Sequence, residues 1–119
     1  MLKAVILIRD GNAERLFERQ ISALGNTVDT VVIPEPSKIL QYLEQHPVDM
    51  VFIDIDDEAS WQGVCGMVKY TDKKICLVLL SGNPLNAVKA FEAGASDFLS
   101  KPVERERLES AISRCRQTG

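Results

Sequence analysis

Asp10, Asp54, Ser81 and Lys101 stand at or just past the C-terminal ends of separate apolar runs, at residues 4–9, 48–53, 75–80 and 96–99. Two carboxylates, a hydroxyl and an ammonium suit a phosphoryl group and a divalent cation. An Asp serves as acceptor, while Ser and Lys hold the phosphoryl oxygens. If the four runs are neighbouring parallel strands, these side chains meet at one edge of one sheet. An open α/β sheet binds its ligands at that edge, in the crevice where the strand order reverses.

The elements that would position them alternate along the chain. Residues 4–8 form a short continuous apolar run, as a strand buried on both faces should. Phe17, Ile21 and Leu24 follow at helical spacing, after Gly11-Asn12 and before Gly25. Residues 27–33 are β-branched and end at Pro34 and Pro36, and Ser37 is placed to cap a helix carrying Ile39, Leu40 and Leu43, which Pro47 stops. Residues 48–55 are the most strand-like piece. Residues 61–69 read as a weaker helix, because Gly63 and Gly66 lower its propensity. Residues 75–80 make a fourth strand, 84–92 a helix with proline near its first turn, 96–99 a brief fifth strand and 104–116 a closing helix. Strict alternation with two-sided apolar strands implies a parallel sheet covered by helices on both faces. Five such strands favour a flavodoxin-like (βα)5 three-layer fold of order 2-1-3-4-5, with the strands ending at Asp10 and Asp54 adjacent.

At 119 residues the chain reads as one domain, 1–119. No stretch nears the roughly 18 consecutive apolar residues of a membrane span, and no leader pattern precedes the first strand. A cytoplasmic location is expected. Cys65, Cys76 and Cys115 are odd in number, without a CxxC, and read as buried thiols of a reducing compartment. The one histidine, His46, cannot build a His-based metal site or a Ser-His-Asp triad, so any metal must be a hard, oxygen-bound ion. The net charge of −3 argues against nucleic-acid binding. Arg105, Arg107, Arg114 and Arg116 interleave with Glu104, Glu106 and Glu109 as a solvated, internally paired helix face.

Over nearly its whole length the chain resembles the receiver domain of two-component response regulators. The resemblance rests on "VFIDI" with Asp54, "LVLLSG" with Ser81 and "AFEAGASDFLSKPVERERLESAI" with Phe98, Lys101 and Pro102. It looks most like receivers that precede a LytTR-type DNA-binding domain. The resemblance implies that Asp54 is the phospho-acceptor and Asp10 one of two acidic residues holding Mg²⁺, with Asp56 completing the metal site through its backbone carbonyl. It further implies that Ser81 and Lys101 bind the phosphoryl group, that Phe98 is an aromatic switch, and that Lys101-Pro102 is a cis bond.

Two departures bear on that reading. The family's acidic pair is here Arg9-Asp10, and the loop after Asp54 runs Asp56-Asp57-Glu58-Ala59-Ser60-Trp61 without the usual Met-Pro. Replacing a carboxylate by a guanidinium within roughly 5 Å of a cation costs several kcal/mol of affinity at an effective dielectric near 20. Arg9 is expected instead to pair with Asp54 or Asp10 and neutralise the pocket without metal. Asp56 and Asp57 could partly restore cation binding. Trp61 would be a half-buried anchor or a partner contact.

The expected function is that of a signalling module, not a metabolic enzyme. Asp54 takes a phosphoryl group from a histidine kinase or phosphotransfer protein, and the state is transmitted through the face formed by the fourth helix, fifth strand and fifth helix. A homodimer would use Lys89, Asp97, Arg105 and Arg116 on that face, and a C-terminal output domain would follow if the chain is part of a longer regulator. One rival is a phosphorylation-independent pseudo-receiver serving dimerisation or docking. The other, a small flavodoxin-like ligand binder, is disfavoured because no Ser/Thr-rich phosphate loop follows the first strand.

Overall fold

A computed structural model of the chain describes residues 1–25, 27–72 and 74–118. Five parallel strands, β1 (Leu2–Leu7), β2 (Val28–Val32), β3 (Met50–Asp54), β4 (Cys76–Ser81) and β5 (Asp97–Ser100), form one sheet of order β2-β1-β3-β4-β5. The helices between them are α1 (Gly11–Ser22), α2 (Ile39–Gln45), α3 (Trp61–Thr71) and α4 (Ala87–Glu92), with α5 (Arg105–Thr118) last. This is the flavodoxin-like arrangement the alternation predicts. The order reverses at β1, so the loops after β1 and β3 flank one crevice.

The two-residue period of the strands divides the core. Val5, Leu7, Val51, Ile53, Leu77 and Leu79 face Ile39 and Leu43 of α2, Val64, Cys65 and Val68 of α3 and Ala90 of α4. Ala4, Ile6, Met50, Phe52, Val78 and Leu80 face Phe17 and Ile21 of α1 and Leu108, Ala111 and Ile112 of α5. Phe17 meets Phe52 edge to face, with ring centroids 5.0 Å apart. Gly25 and Gly94 have φ of 95° and 97°, the left-handed conformation glycine adopts without a Cβ clash, and each follows a helix end.

Local chemistry moved some boundaries. Ser37 does not cap α2; it lies in a 3-10 turn, Pro36–Lys38, that leads into the helix. The helix expected from Pro84 likewise begins as a 3-10 turn, Pro84–Asn86, capped by the Asn83 side chain on the Leu85 N–H. Gly63 and Gly66 do not shorten α3, because its apolar side is buried against the sheet and packing outweighs propensity.

The mixed-charge face expected for a dimer is not assembled. Asp97 is buried at 4% exposure, its Oδ1 bound by Arg107 at 2.8 Å and by the Phe98 N–H, its Oδ2 by Arg114 at 3.3 Å. Arg116 lies at the opposite end of the sheet, donating to the Thr27 carbonyl at 3.1 Å. Arg105 pairs along its own helix with Glu109 at 2.9 Å. The Asp97 bonds staple β5 to α5. Replacing Asp97 by Ala removes the acceptor shared by Arg107, Arg114 and the Phe98 N–H, and should cost about 2 kcal/mol. A lower urea midpoint at unchanged slope would register that loss.

Candidate functional site

Asp54, Ser81 and Lys101 do converge at the C-terminal edge of the sheet. Asp54 ends β3 at 1% exposure and Ser81 ends β4 fully buried. Lys101, just beyond β5, is held by its N–H on the Ser81 carbonyl at 2.9 Å and by a cis bond to Pro102. Its ammonium lies 2.5 Å from Asp54 Oδ2 and 3.2 Å from Asp56 Oδ2. Burial opposes the charge on Lys101, but Asp54 and then Asp56 outweigh it and hold its pKa above the usual lysine value.

Asp56 enters through its side chain. Its Oδ1 accepts the Ser81 hydroxyl at 2.6 Å and its Oδ2 the Gly82 N–H at 2.7 Å, while its own N–H donates to Asp54 Oδ1 at 3.0 Å. Burial pushes the Asp56 carboxyl upward, yet the Ser81 hydroxyl, the Gly82 N–H and Lys101 together hold it below the ordinary Asp value. Asp57 is exposed. Asp54 Oδ2 is buried and faces the Lys101 ammonium in a close ion pair.

Arg9 does not pair with Asp54 or Asp10. Its Nε lies 3.3 Å from Oε1 of Glu58, a carboxylate at 6% exposure whose other oxygen accepts the Ser60 hydroxyl at 2.5 Å and the Ser60 N–H at 3.1 Å. Glu58 went unnoticed in the acidic loop; the signal available was Arg9 itself, a cation out of place at an acidic edge that requires an anion. The Ser60 hydroxyl, against burial, and then the Ser60 N–H and Arg9 hold Glu58 below its ordinary pKa. Trp61 starts α3 and is partly buried against the core, which favours the anchor reading. Phe98 is buried at 8% in the α2–α4 layer.

Of the set the resemblance implies for Mg²⁺, the Asp10 and Asp54 side chains with the Asp56 backbone carbonyl, Asp10 is also engaged as a helix cap. Asp10 Oδ1 caps α1, accepting from the N–H groups of Asn12 and Ala13 at 2.8 and 3.2 Å. Both oxygens of Asp56 are hydrogen-bonded, and Lys101 occupies the space between Asp56 and Asp54. Among the described residues no group of three or more His, Cys, Asp or Glu side chains is placed to hold a metal ion. Mg²⁺ is usually held by one or two carboxylates and water, so Asp10 and Asp54 are the side chains that would hold it here.

Two outcomes follow from this geometry. Arg9→Asp should cost about 1–2 kcal/mol, between the values for exposed and buried pairs, because it sets a second carboxylate beside buried Glu58. Glu58 has a depressed folded pKa, so its contribution is present above the ordinary value of 4.5 and is lost as pH falls through the lower folded value. Glu58→Gln should therefore flatten the acid side of the stability profile in urea melts.

The family model for the response regulator receiver domain matches residues 5–113. The sensory transduction protein LytR of Staphylococcus epidermidis is 28% identical over 95% of the chain, and that of Staphylococcus haemolyticus 32% over 85%. The chain spans 45% and 41% of those two proteins, under half of each. In fold it is similar to the receiver domain of a Pseudomonas aeruginosa sensor histidine kinase that holds a magnesium ion in its active-site cleft, with TM-score 0.82, 15% identity and 95% of each chain covered. Thermotoga maritima TrrA, in complex with Mg²⁺ and BeF, superposes with TM-score 0.83 at 16% identity, over 97% of this chain and 99% of that one. With its carboxylate, hydroxyl and lysine gathered at one sheet edge, the chain belongs to the response regulator receiver domain family.

Proposed function

We propose that the domain accepts a phosphoryl group on Asp54 from a histidine kinase or phosphotransfer protein. The observation that carries this reading is Asp54, a buried carboxylate at the sheet edge whose Oδ2 is held by the Lys101 ammonium. Asp54 and Lys101 also line a cavity of about 150 Å³ with Leu16 and Pro102, which gives a donor access. In the transfer Asp54 Oδ2 attacks phosphorus, the P–N bond of the donor phosphohistidine breaks, and the imidazole nitrogen leaves with the electron pair. Lys101 then bonds the phosphoryl oxygens, and the Ser81 hydroxyl turns from Asp56 toward them. Ser81, Lys101 and Asp54 are thus the working set, with Phe98 the switch candidate. Asp10, which caps α1, belongs with the cation and not with this set.

The output would pass through α4, β5 and α5. Leu85, Val88 and Phe91, at 82%, 67% and 52% exposure, make an apolar stripe at helical spacing along the α4 segment, which supports that face as the docking surface. The LytR relatives are more than twice as long as the part matched, which accords with an output domain beside this one. A cytoplasmic location accords with these roles, and no helix among the described residues is long and apolar enough to cross a membrane.

A second reading, a phosphorylation-independent docking module, is favoured by the charge balance of the unliganded pocket. Lys101 answers Asp54 and Asp56, and Arg9 answers Glu58, without metal. Labelling by a small phosphodonor, followed by intact mass, separates the two. Wild type should gain one phosphoryl group and Asp54→Asn none. Asp56→Asn should label at least about tenfold faster, since removing a unit charge near an incoming anion is worth more than about 1.4 kcal/mol in a partly buried site. A wild-type protein that never labels sustains the docking module; one that labels equally in Asp54→Asn has its acceptor elsewhere.

A further inference from the structure

Cys76 opens β4 and Cys115 lies in α5, and both side chains belong to the α1–α5 layer of the core, whereas Cys65 is buried in the opposite layer across the sheet. The Asp49 carbonyl, just before β3, accepts the Cys76 N–H at 2.9 Å and the Cys115 thiol at 3.6 Å. The Asp49 carbonyl thus brings Cys115 Sγ beside the backbone of Cys76, and Cys76 is among the groups that raise the Cys115 pKa. Both border an open cavity of about 410 Å³ whose walls also include Lys69, Lys74, Ser96 and Arg114. Nothing in the phosphoryl site uses this pair, which sits at the other end of the sheet.

We propose that Cys76 and Cys115 form a redox-modification site, in which a hydroperoxide entering this cavity oxidises the two thiols to an intramolecular disulfide. The Cys76 sulfur attacks the distal peroxide oxygen, the O–O bond breaks, and the departing oxygen takes up the Cys76 proton, leaving a sulfenic acid. The Cys115 sulfur then attacks Cys76, the S–O bond breaks, and the hydroxyl leaves with the Cys115 proton as water. With hydrogen peroxide, two thiols lose two electrons and the peroxide is reduced to two waters. Lys74 and Arg114 on the cavity wall favour the anions that form in passing.

The order of attack follows from the surroundings. The Cys115 thiol donates its proton to the Asp49 carbonyl, with burial raising its pKa, and so acts second. A site of this kind answers sustained oxidant and not a brief pulse, because a protonated thiol is a slow nucleophile. In a reducing cytosol such a bond is transient. The residues it would enclose, 76 to 115, carry Ser81, α4, β5 and Lys101, so the bond would tie α5 to β4 beneath the proposed output face.

The test is peptide mapping of the full chain after hydrogen peroxide, with alkylation in denaturant. Two of the three thiols should be lost, a Cys76–Cys115 cross-linked peptide should appear lighter by two hydrogens, and a dithiol reductant should restore both. The oxidised monomer should melt several degrees higher, since the bond constrains the unfolded chain. In Cys115→Ser, dimedone should trap a sulfenic acid on Cys76. Cross-links between molecules or through Cys65, over-oxidation to sulfinic acid without a cross-link, or alkylation of all three thiols at oxidant doses that consume free glutathione would each overturn the proposal. The wild-type peptide map decides between these outcomes even where Cys115→Ser fails to fold.

Discussion

The ammonium of Lys101 is the interaction on which the sheet edge depends. Asp54 and Asp56 are two residues apart at the end of a buried strand, and without a cation their carboxylates would repel in a region of low dielectric. The neutralising charge comes from 45 residues away, delivered by β5 and fixed by the Lys101 N–H on the Ser81 carbonyl. Once that charge is in place, Asp56 can stay ionised and receive the Ser81 hydroxyl and the Gly82 N–H. The loops after β3 and β4 are thereby tied into one surface.

A second pair lets the chain tolerate a cation where the family carries an acid. Glu58 is buried beside the crevice and already fixed by Ser60, so Arg9 finds a preorganised anion instead of competing with Lys101 for Asp54. The acidic loop thus divides its work. Asp56 faces the phosphoryl site, Asp57 faces solvent and Glu58 answers the substitution at Arg9. The same division leaves both Asp56 oxygens and one Glu58 oxygen engaged within the protein.

Strand order, helix placement and the meeting of Asp54, Ser81 and Lys101 were legible because each rests on a periodic apolar pattern followed by one polar residue. The capping role of Asp10 was not separable from a ligand role, since an Asp before a helix serves as either with the same local sequence. The partners of Arg9 and Asp97 were hidden for another reason. Both are tertiary ion pairs, Arg9–Glu58 across two loops and Asp97–Arg107 between β5 and α5, and no spacing rule links their members. Reading α5 as a purely solvated charged face missed that Arg107 and Arg114 turn inward to a buried carboxylate. The Ser37 cap failed because Pro36 starts a 3-10 turn one residue earlier.

Ser81 connects the site to the surface that would report its state. Its hydroxyl oxygen donates to Asp56 and accepts from the Asn83 N–H at 3.0 Å and the Asn86 side-chain amide at 3.1 Å. Asn86 immediately precedes α4, and Asn83 caps the turn that carries Leu85. A hydroxyl turning toward a phosphoryl group on Asp54 would exchange its bond to Asp56 for one to phosphoryl oxygen, and would weaken both asparagine contacts at the start of the α4 segment. That segment is short, consisting of one 3-10 turn and six α-helical residues. Ala90 is its one buried residue, so few core contacts resist a shift of Leu85, Val88 and Phe91. The core strands beneath are buried on both faces and would not follow. A rearrangement of these three hydrogen bonds at Ser81 would therefore act on the exposed stripe, and not on the sheet.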